Sequence, residues 1–195
     1  APKRSPRSLP PALAEHPSVR IIVGQVEACE RPTIIRTLLG SCVAIGLFDA
    51  NRGVGGLNHF LLPSARDVSE EKAASYGAYA IELLINAVLQ LGARRSDLRA
   101  KIFGGGRVLR NVVTSDIGAI NIAFAKNFLE RDGIPILAVR EGGDGGLDVS
   151  FVSSTGQAFV RPIAVTQLTA VVLSDKKQME RVAKPPQDDG VELFS

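Results

Sequence analysis

Cys42 and His59 are the two side chains of this sequence that could do covalent chemistry together. An unperturbed thiol titrates near ~8.5, and only its thiolate attacks well. An imidazole within reach takes the proton and gives a thiolate–imidazolium pair, the reagent of acyl transfer. Cys42 lies in Thr37-Leu38-Leu39-Gly40-Ser41-Cys42-Val43, and His59 closes Gly55-Gly56-Leu57-Asn58-His59. Gly40 permits the tight turn before the nucleophile. A backbone N–H of this loop, that of Ser41 or Cys42, would stabilise an oxyanion. Thr37 is a hydroxyl within a turn's reach that could orient the imidazole. Cys42 stands at a loop-to-strand junction with no helix dipole to lower its pKa, so His59 matters more.

The elements around the pair must bring it together. Residues 43–48 and 54–62 read as strands joined by the turn-forming Asp49-Ala50-Asn51-Arg52. An antiparallel hairpin with Phe48 opposite Gly53 would set Cys42 opposite His59, on one face with Cβ atoms ~5 Å apart. The plainer alternatives are general ones. A Cys at the edge of an apolar strand is ordinarily a small core residue, a His in a strand is ordinarily structural, and Thr37 could be a plain strand or turn residue. The hairpin register favours the chemical reading, as does the position of His16, the other histidine, in the N-terminal tail. Cys29 reads as structural.

Beyond the hairpin, strands and helices alternate. Residues 20–27 read as a strand, and 68–91 as a long helix. Asp67 and Glu70 have capping-box spacing at its start, and Gly92 stops it. Ala73, Tyr76, Ala80, Leu83, Ala87 and Leu91 form its apolar stripe. Residues 99–103 are a buried strand running into Gly104-Gly105-Gly106. A second helix is expected over 117–131, between Asp116 and Gly133. Strands follow at 134–139, 147–152, 157–163 and 166–173. The class is α/β: a single-domain three-layer sandwich with a mixed β-sheet and two main helices. Residues 1–18 form a basic, Pro-rich tail, 19–173 the domain, and 174–195 a flexible tail in which 191–194 could dock.

Composition excludes several classes. The net charge of +3 comes largely from residues 1–20, leaving the folded span near neutral, without the basic face of a nucleic-acid binder. Two cysteines in 195 residues give no disulfide framework and no zinc cluster. They fit a reducing, cytoplasmic compartment. No apolar run approaches the ~20 residues of a membrane span. The Gly104-Gly105-Gly106 run could cradle an anion but lacks dinucleotide or phosphate-loop spacing. The glycines of 142–146 read as a turn. No metal or cofactor is expected.

At these residues the sequence resembles the bacterial chemoreceptor glutamine deamidase family (CheD). The resemblance lies in Leu39-Gly40-Ser41-Cys42-Val43 and Gly55-Gly56-Leu57-Asn58-His59-Phe60-Leu61-Leu62-Pro63, and in the spacing between Cys42 and His59. It continues through Lys101–Gly105, Ile117-Gly118-Ala119, Asn127-Phe128-Leu129, Gly133–Ile136 and Thr155-Gly156. It implies a three-layer α/β fold that hydrolyses selected Gln side-chain amides on chemoreceptor cytoplasmic helices. In that scheme Cys42 is the nucleophile, His59 the base and acid, and Thr37 the third residue. It also implies association with a CheC-type phosphatase. The alternative is a non-catalytic module that regulates that phosphatase or the receptors. A methyl-esterified Glu could enter the same chemistry. A general cysteine hydrolase acting on peptides is a third reading. Ile120 and Leu147 depart from the family pattern, at positions where polar or basic residues are expected.

Overall fold

The computed structural model describes residues 15–63, 68–107 and 117–164, together with Thr166 and Leu168. Its strands are β1 (Ser18–Arg20), β2 (Val26–Cys29), β3 (Ile34–Leu39), β4 (Val43–Asp49), β5 (Val54–Asn58), β6 (Arg99–Gly104), β7 (Ile136–Glu141), β8 (Gly146–Val152) and β9 (Ala158–Ile163). The helices α1 (Glu70–Gln90) and α2 (Ile117–Arg131) accompany them.

The strands divide between two mixed sheets, a five-stranded one ordered β2-β5-β4-β6-β7 and a four-stranded one ordered β1-β3-β8-β9. Both helices pack on one face of the five-stranded sheet. Ile81, Leu84, Ile85 and Val88 of α1, with Ile122, Ala125 and Leu129 of α2, meet Val43, Ile45, Leu47 and Ile102 there. The other face packs on the four-stranded sheet through Ala44, Phe48, Leu57 and Phe103 against Ile35, Leu39, Val149 and Phe151. The layers are therefore helices, sheet and sheet, as the three-layer α/β expectation requires. Every residue of β4 is buried, because both faces of its sheet are covered. Phe151 lies edge-on to both Phe48 and Phe103, giving a largely aliphatic core an aromatic centre.

The hairpin differs from its expected register. Phe48 pairs with Gly55 and Asp49 with Val54, so the ladder is shifted by two residues and the Phe48–Gly53 pairing does not form. The buried Asp49 carboxylate causes this. It accepts from the N–H groups of Asn51 (3.1 Å), Arg52 (3.2 Å) and Arg94 (3.0 Å). Asp49 thus stays in the strand, and the loop moves to 50–53, where Gly53 takes a φ of 68°. Side chains alternate with period two, so a two-residue shift keeps each on its original face. Cys42 and His59 are then diagonal neighbours on one face instead of a directly opposed pair.

Other boundaries also moved. The single strand expected over 20–27 is broken by the turn at Gly24, φ 84°, leaving β1 in one sheet and β2 in the other. Helix α1 is capped by Ser69, whose side chain accepts from the Lys72 N–H; Asp67, the expected cap, lies outside the described residues, as does Asp116. Helix α2 spans the expected residues, and Gly133 follows it at φ 70°. Thr166 and Leu168 are helical where a strand was expected, and the rest of that segment and both tails lie outside the described residues.

Candidate active site

Strand β3 places Thr37 opposite Val149, facing the space between the sheets and only 1% exposed. Strand β5 ends at Asn58, and His59 follows with its backbone held at both ends. Its N–H donates to the Gln25 carbonyl (3.0 Å), and its C=O accepts from the Gly24 N–H (2.7 Å). The turn that breaks 20–27 in two is therefore also the clamp on His59. Asn58 locks the neighbouring helix. Its Oδ1 accepts from the Ile45 N–H (2.8 Å), and its Nδ2 donates to the Ala80 carbonyl of α1 (3.0 Å).

Thr37 and His59 meet in a hydrogen bond of 2.8 Å between Oγ1 and Nδ1. A threonine hydroxyl has one proton to give, and that of Thr37 goes to the Ile21 carbonyl at 3.0 Å. Thr37 must therefore accept from His59, which assigns the proton of the neutral ring to Nδ1. Nε2 is left with its lone pair, and it has no hydrogen-bond partner among the described residues. This is the tautomer a general base for a thiol requires. Burial pushes the imidazole pKa down to about 3, because the ionised ring would lose its hydration. Burial thus favours the neutral ring, with its proton on Nδ1 and its lone pair on Nε2.

Cys42 is 1% exposed and forms no disulfide. The loop that presents it is fastened through three successive carbonyls. Gly40 C=O accepts from the Gly106 N–H (2.8 Å), Ser41 C=O from Asn121 Nδ2 (3.2 Å), and Cys42 C=O from the Gly105 N–H (2.8 Å). The glycine run therefore spends the Gly105 and Gly106 N–H groups on the Gly40–Cys42 loop, which corrects the anion-cradle reading of Gly104-Gly105-Gly106. Gly104 is required there: at φ 114°, a Cβ on it would run into the Cys42 carbonyl oxygen. Gly40 is buried and Ser41 partly so.

Two residues beside this site, Asn121 and Tyr76, did not stand out in the sequence. Asn121 is fully buried on α2, where it holds Ser41 and accepts from the Leu62 N–H (2.9 Å). It thus ties the segment after Cys42's partner strand to the loop before Cys42. Its signal was available: a polar side chain in the buried stripe Gly118, Asn121, Ile122, Ala125, Leu129. Tyr76 lines a small opening of about 60 Å³ with His59, Gln25, Tyr79 and Leu83. Of the two departures, Ile120 is 49% exposed on α2, whereas Leu147 is buried opposite Leu39 in the inter-sheet core. Leu147 is thus a packing residue rather than a contact for a partner.

The family model described as CheD chemotactic sensory transduction matches residues 61–162. A probable chemoreceptor glutamine deamidase CheD of Caulobacter sp. (strain K31) is 41% identical over 182 residues, covering 91% of this chain and 94% of that protein. A protein of Shewanella oneidensis, probable chemoreceptor glutamine deamidase CheD 1, is 39% identical over 183 residues (92% of this chain, 89% of that one). One of Dechloromonas aromatica, probable chemoreceptor glutamine deamidase CheD 2, is 43% identical over 172 residues (85% and 86%). Solved structures are more distant. A Neisseria meningitidis protein has a TM-score of 0.40 at 11% identity (67% of this chain, 65% of that one), and the Bacillus licheniformis hypothetical protein YfiH 0.38 at 17% (60% and 49%). With full-length similarity to several such proteins and a matching family model, the chain belongs to the CheD family.

Proposed function

We propose that this protein deamidates glutamine side chains on chemoreceptor cytoplasmic helices, with Cys42 as nucleophile and His59 as base and acid. The observation that carries the reading is the Thr37–His59 hydrogen bond, which leaves Nε2 of a buried neutral imidazole as the proton acceptor. The names of the relatives supply the substrate class.

In the proposed cycle, His59 Nε2 takes the Cys42 thiol proton as sulfur attacks the Gln carboxamide carbon. The carbonyl oxygen becomes an oxyanion. The N–H groups of Ser41 and Cys42 are the proposed donors to it. Each trans peptide points its N–H opposite to the preceding C=O, and the carbonyls of Gly40 and Ser41 are held toward Gly106 and Asn121. Collapse of the tetrahedral intermediate breaks the C–N bond, and the imidazolium proton goes to the leaving nitrogen, releasing ammonia. Water then gives a proton to Nε2 and attacks the thioester carbon. The C–S bond breaks, the sulfur recovers its proton, and Glu remains. The net reaction is carboxamide plus water to carboxylate plus ammonium, with no cofactor consumed. A methyl-esterified Glu fits the same thioester with methanol leaving. Association with a CheC-type phosphatase and a cytoplasmic location belong to the same proposal. A new carboxylate on a receptor helix adds like charge and shifts its two-state equilibrium.

Ammonia release from a purified receptor cytoplasmic fragment tests the chemistry. Wild-type protein should release it and Cys42→Ala should not; release by Cys42→Ala at the wild-type rate would exclude the mechanism.

A further inference from the structure

We propose that residues 169–183 dock as an amphipathic helix on the outer face of the four-stranded sheet, where the Asp175 carboxylate pairs with Arg36. The inference starts from burial that no described element explains. Ile35, Leu39, Leu147, Val149 and Phe151 point inward, into the core between the sheets. Alternation along β3 and β8 turns Ile34, Arg36, Ser150 and Val152 the opposite way. On that outer face Ile34 is 2% exposed, Val152 1% and Ser150 5%. Both described helices pack on the five-stranded sheet, so no described helix or strand covers this face. A sheet buried on its second face requires a further layer there. Leu168 shows which segment supplies it. This last described residue is helical and 0% exposed. A Cβ on Gly146 would point outward and strike the Leu168 side chain, so Leu168 sits on the outer face at the start of β8.

The sequence beyond Leu168 has the form such a cover requires. On a helix, Val171, Val172, Met179 and Val182 fall within about 60° of Leu168, and Pro185 with Pro186 ends the pattern. A helix from Leu168 to Ala183 is about 24 Å long, and the strand β8 that it would cross spans about 23 Å. Asp175 is the one charged residue within that apolar arc. It lies about 10 Å along the helix from Leu168. Arg36 stands opposite Ser150, about 13 Å along β8 from Gly146, and an arginine side chain spans the difference. The face calls for that carboxylate. Arg36 is beside Arg20 in the ladder, and its buried Nε has no hydrogen-bond partner among the described residues. Like charges side by side are unfavourable, and a half-buried guanidinium is costly without a partner. Asp148, the acidic residue of β8 on this face, is already paired with Arg161 at 2.6 Å. The docked helix also backs the strand that holds Thr37. The Arg36 carbonyl accepts from the Ile21 N–H, and the Ile21 carbonyl from the Thr37 hydroxyl.

Hydrogen exchange of the full wild-type chain, read by peptide mass spectrometry, tests the docking. Peptides within 169–183 should exchange at least about 100-fold more slowly than in urea-unfolded protein. Exchange at the unfolded rate overturns the proposal. So does protection over 1–14 without protection over 169–183, since the N-terminal tail would then be the cover. Charge reversal tests the pairing. Arg36→Asp and Asp175→Arg should each lower the urea midpoint by about 0.5 M or more, and the double variant should recover at least half of the summed loss; a smaller recovery overturns the pairing. Where a reversal prevents folding, Arg36→Gln and Asp175→Asn take its place. Their losses should be less than additive in the double variant, and full additivity overturns the pairing. Neither measurement needs a receptor, so a failure of the deamidase reading would be seen separately.

Discussion

At the scale of single residues, Thr37 sets the tautomer of His59. Its hydroxyl is committed to the Ile21 carbonyl and accepts from Nδ1. Thr37→Val removes both contacts while keeping the shape. The ring can then exchange tautomers, and kcat for deamidation should fall about 10–100-fold, whereas Thr37→Ser should retain most of it. Loss of the buried hydrogen bonds should also lower stability by about 1–3 kcal/mol in a denaturant titration. The low His59 pKa makes a separate prediction. Unfolded, the ring protonates near its usual 6.5, but folded it stays neutral to about 3. Between those values the unfolded chain binds the extra proton. The contribution of His59 is thus fully present above about pH 6.5 and is lost as the pH falls toward 3, at up to ~1.4 kcal/mol per pH unit. His59→Gln should show a shallower acid slope in urea titrations over this window. Equal slopes in the two proteins would refute the assignment of a neutral buried ring.

At the scale of elements, the site is assembled by segments that carry none of the chemistry. The Gly24 turn clamps the His59 backbone, the Gly104–Gly106 run clamps the Gly40–Cys42 loop, and Asn121 of α2 reaches both Ser41 and Leu62. Gly104→Ala should lose activity and fold poorly, since its φ of 114° and the neighbouring Cys42 carbonyl leave no room for a Cβ. Asn121→Ala should lower stability by about 1–3 kcal/mol by stranding the Leu62 N–H, and should lower kcat more than KM. A variant with wild-type kcat and wild-type denaturant midpoint would show that this tether does not matter. That Cys42 and His59 share one face of the hairpin was legible in the sequence, because parity survives a two-residue slip. The tethers were not. Which backbone carbonyl an asparagine or a glycine N–H meets depends on how α2, β6 and β4 pack, and no local spacing encodes that.

At the scale of the whole molecule, the layers follow from which faces are apolar. The fully buried β4 announces a sheet covered on both sides, and the stripes of the two helices supply one cover. That much could be read from periodicity. The division of nine strands into two sheets among the described residues could not. Strands β1 and β2 are separated by one glycine turn within an apolar run, and β3 and β4 join different sheets across the short Gly40–Cys42 loop. That crossing places Cys42 in the core between the sheets, the space that Thr37 also faces. The most direct measurement of the central claim is peptide-mapped mass analysis of a receptor cytoplasmic fragment after incubation with wild type or with Cys42→Ala. The account predicts Gln-to-Glu conversion at defined positions with wild type and none with Cys42→Ala; conversion that persists without the Cys42 thiol, or its absence with a wild-type protein that binds the fragment, would contradict it.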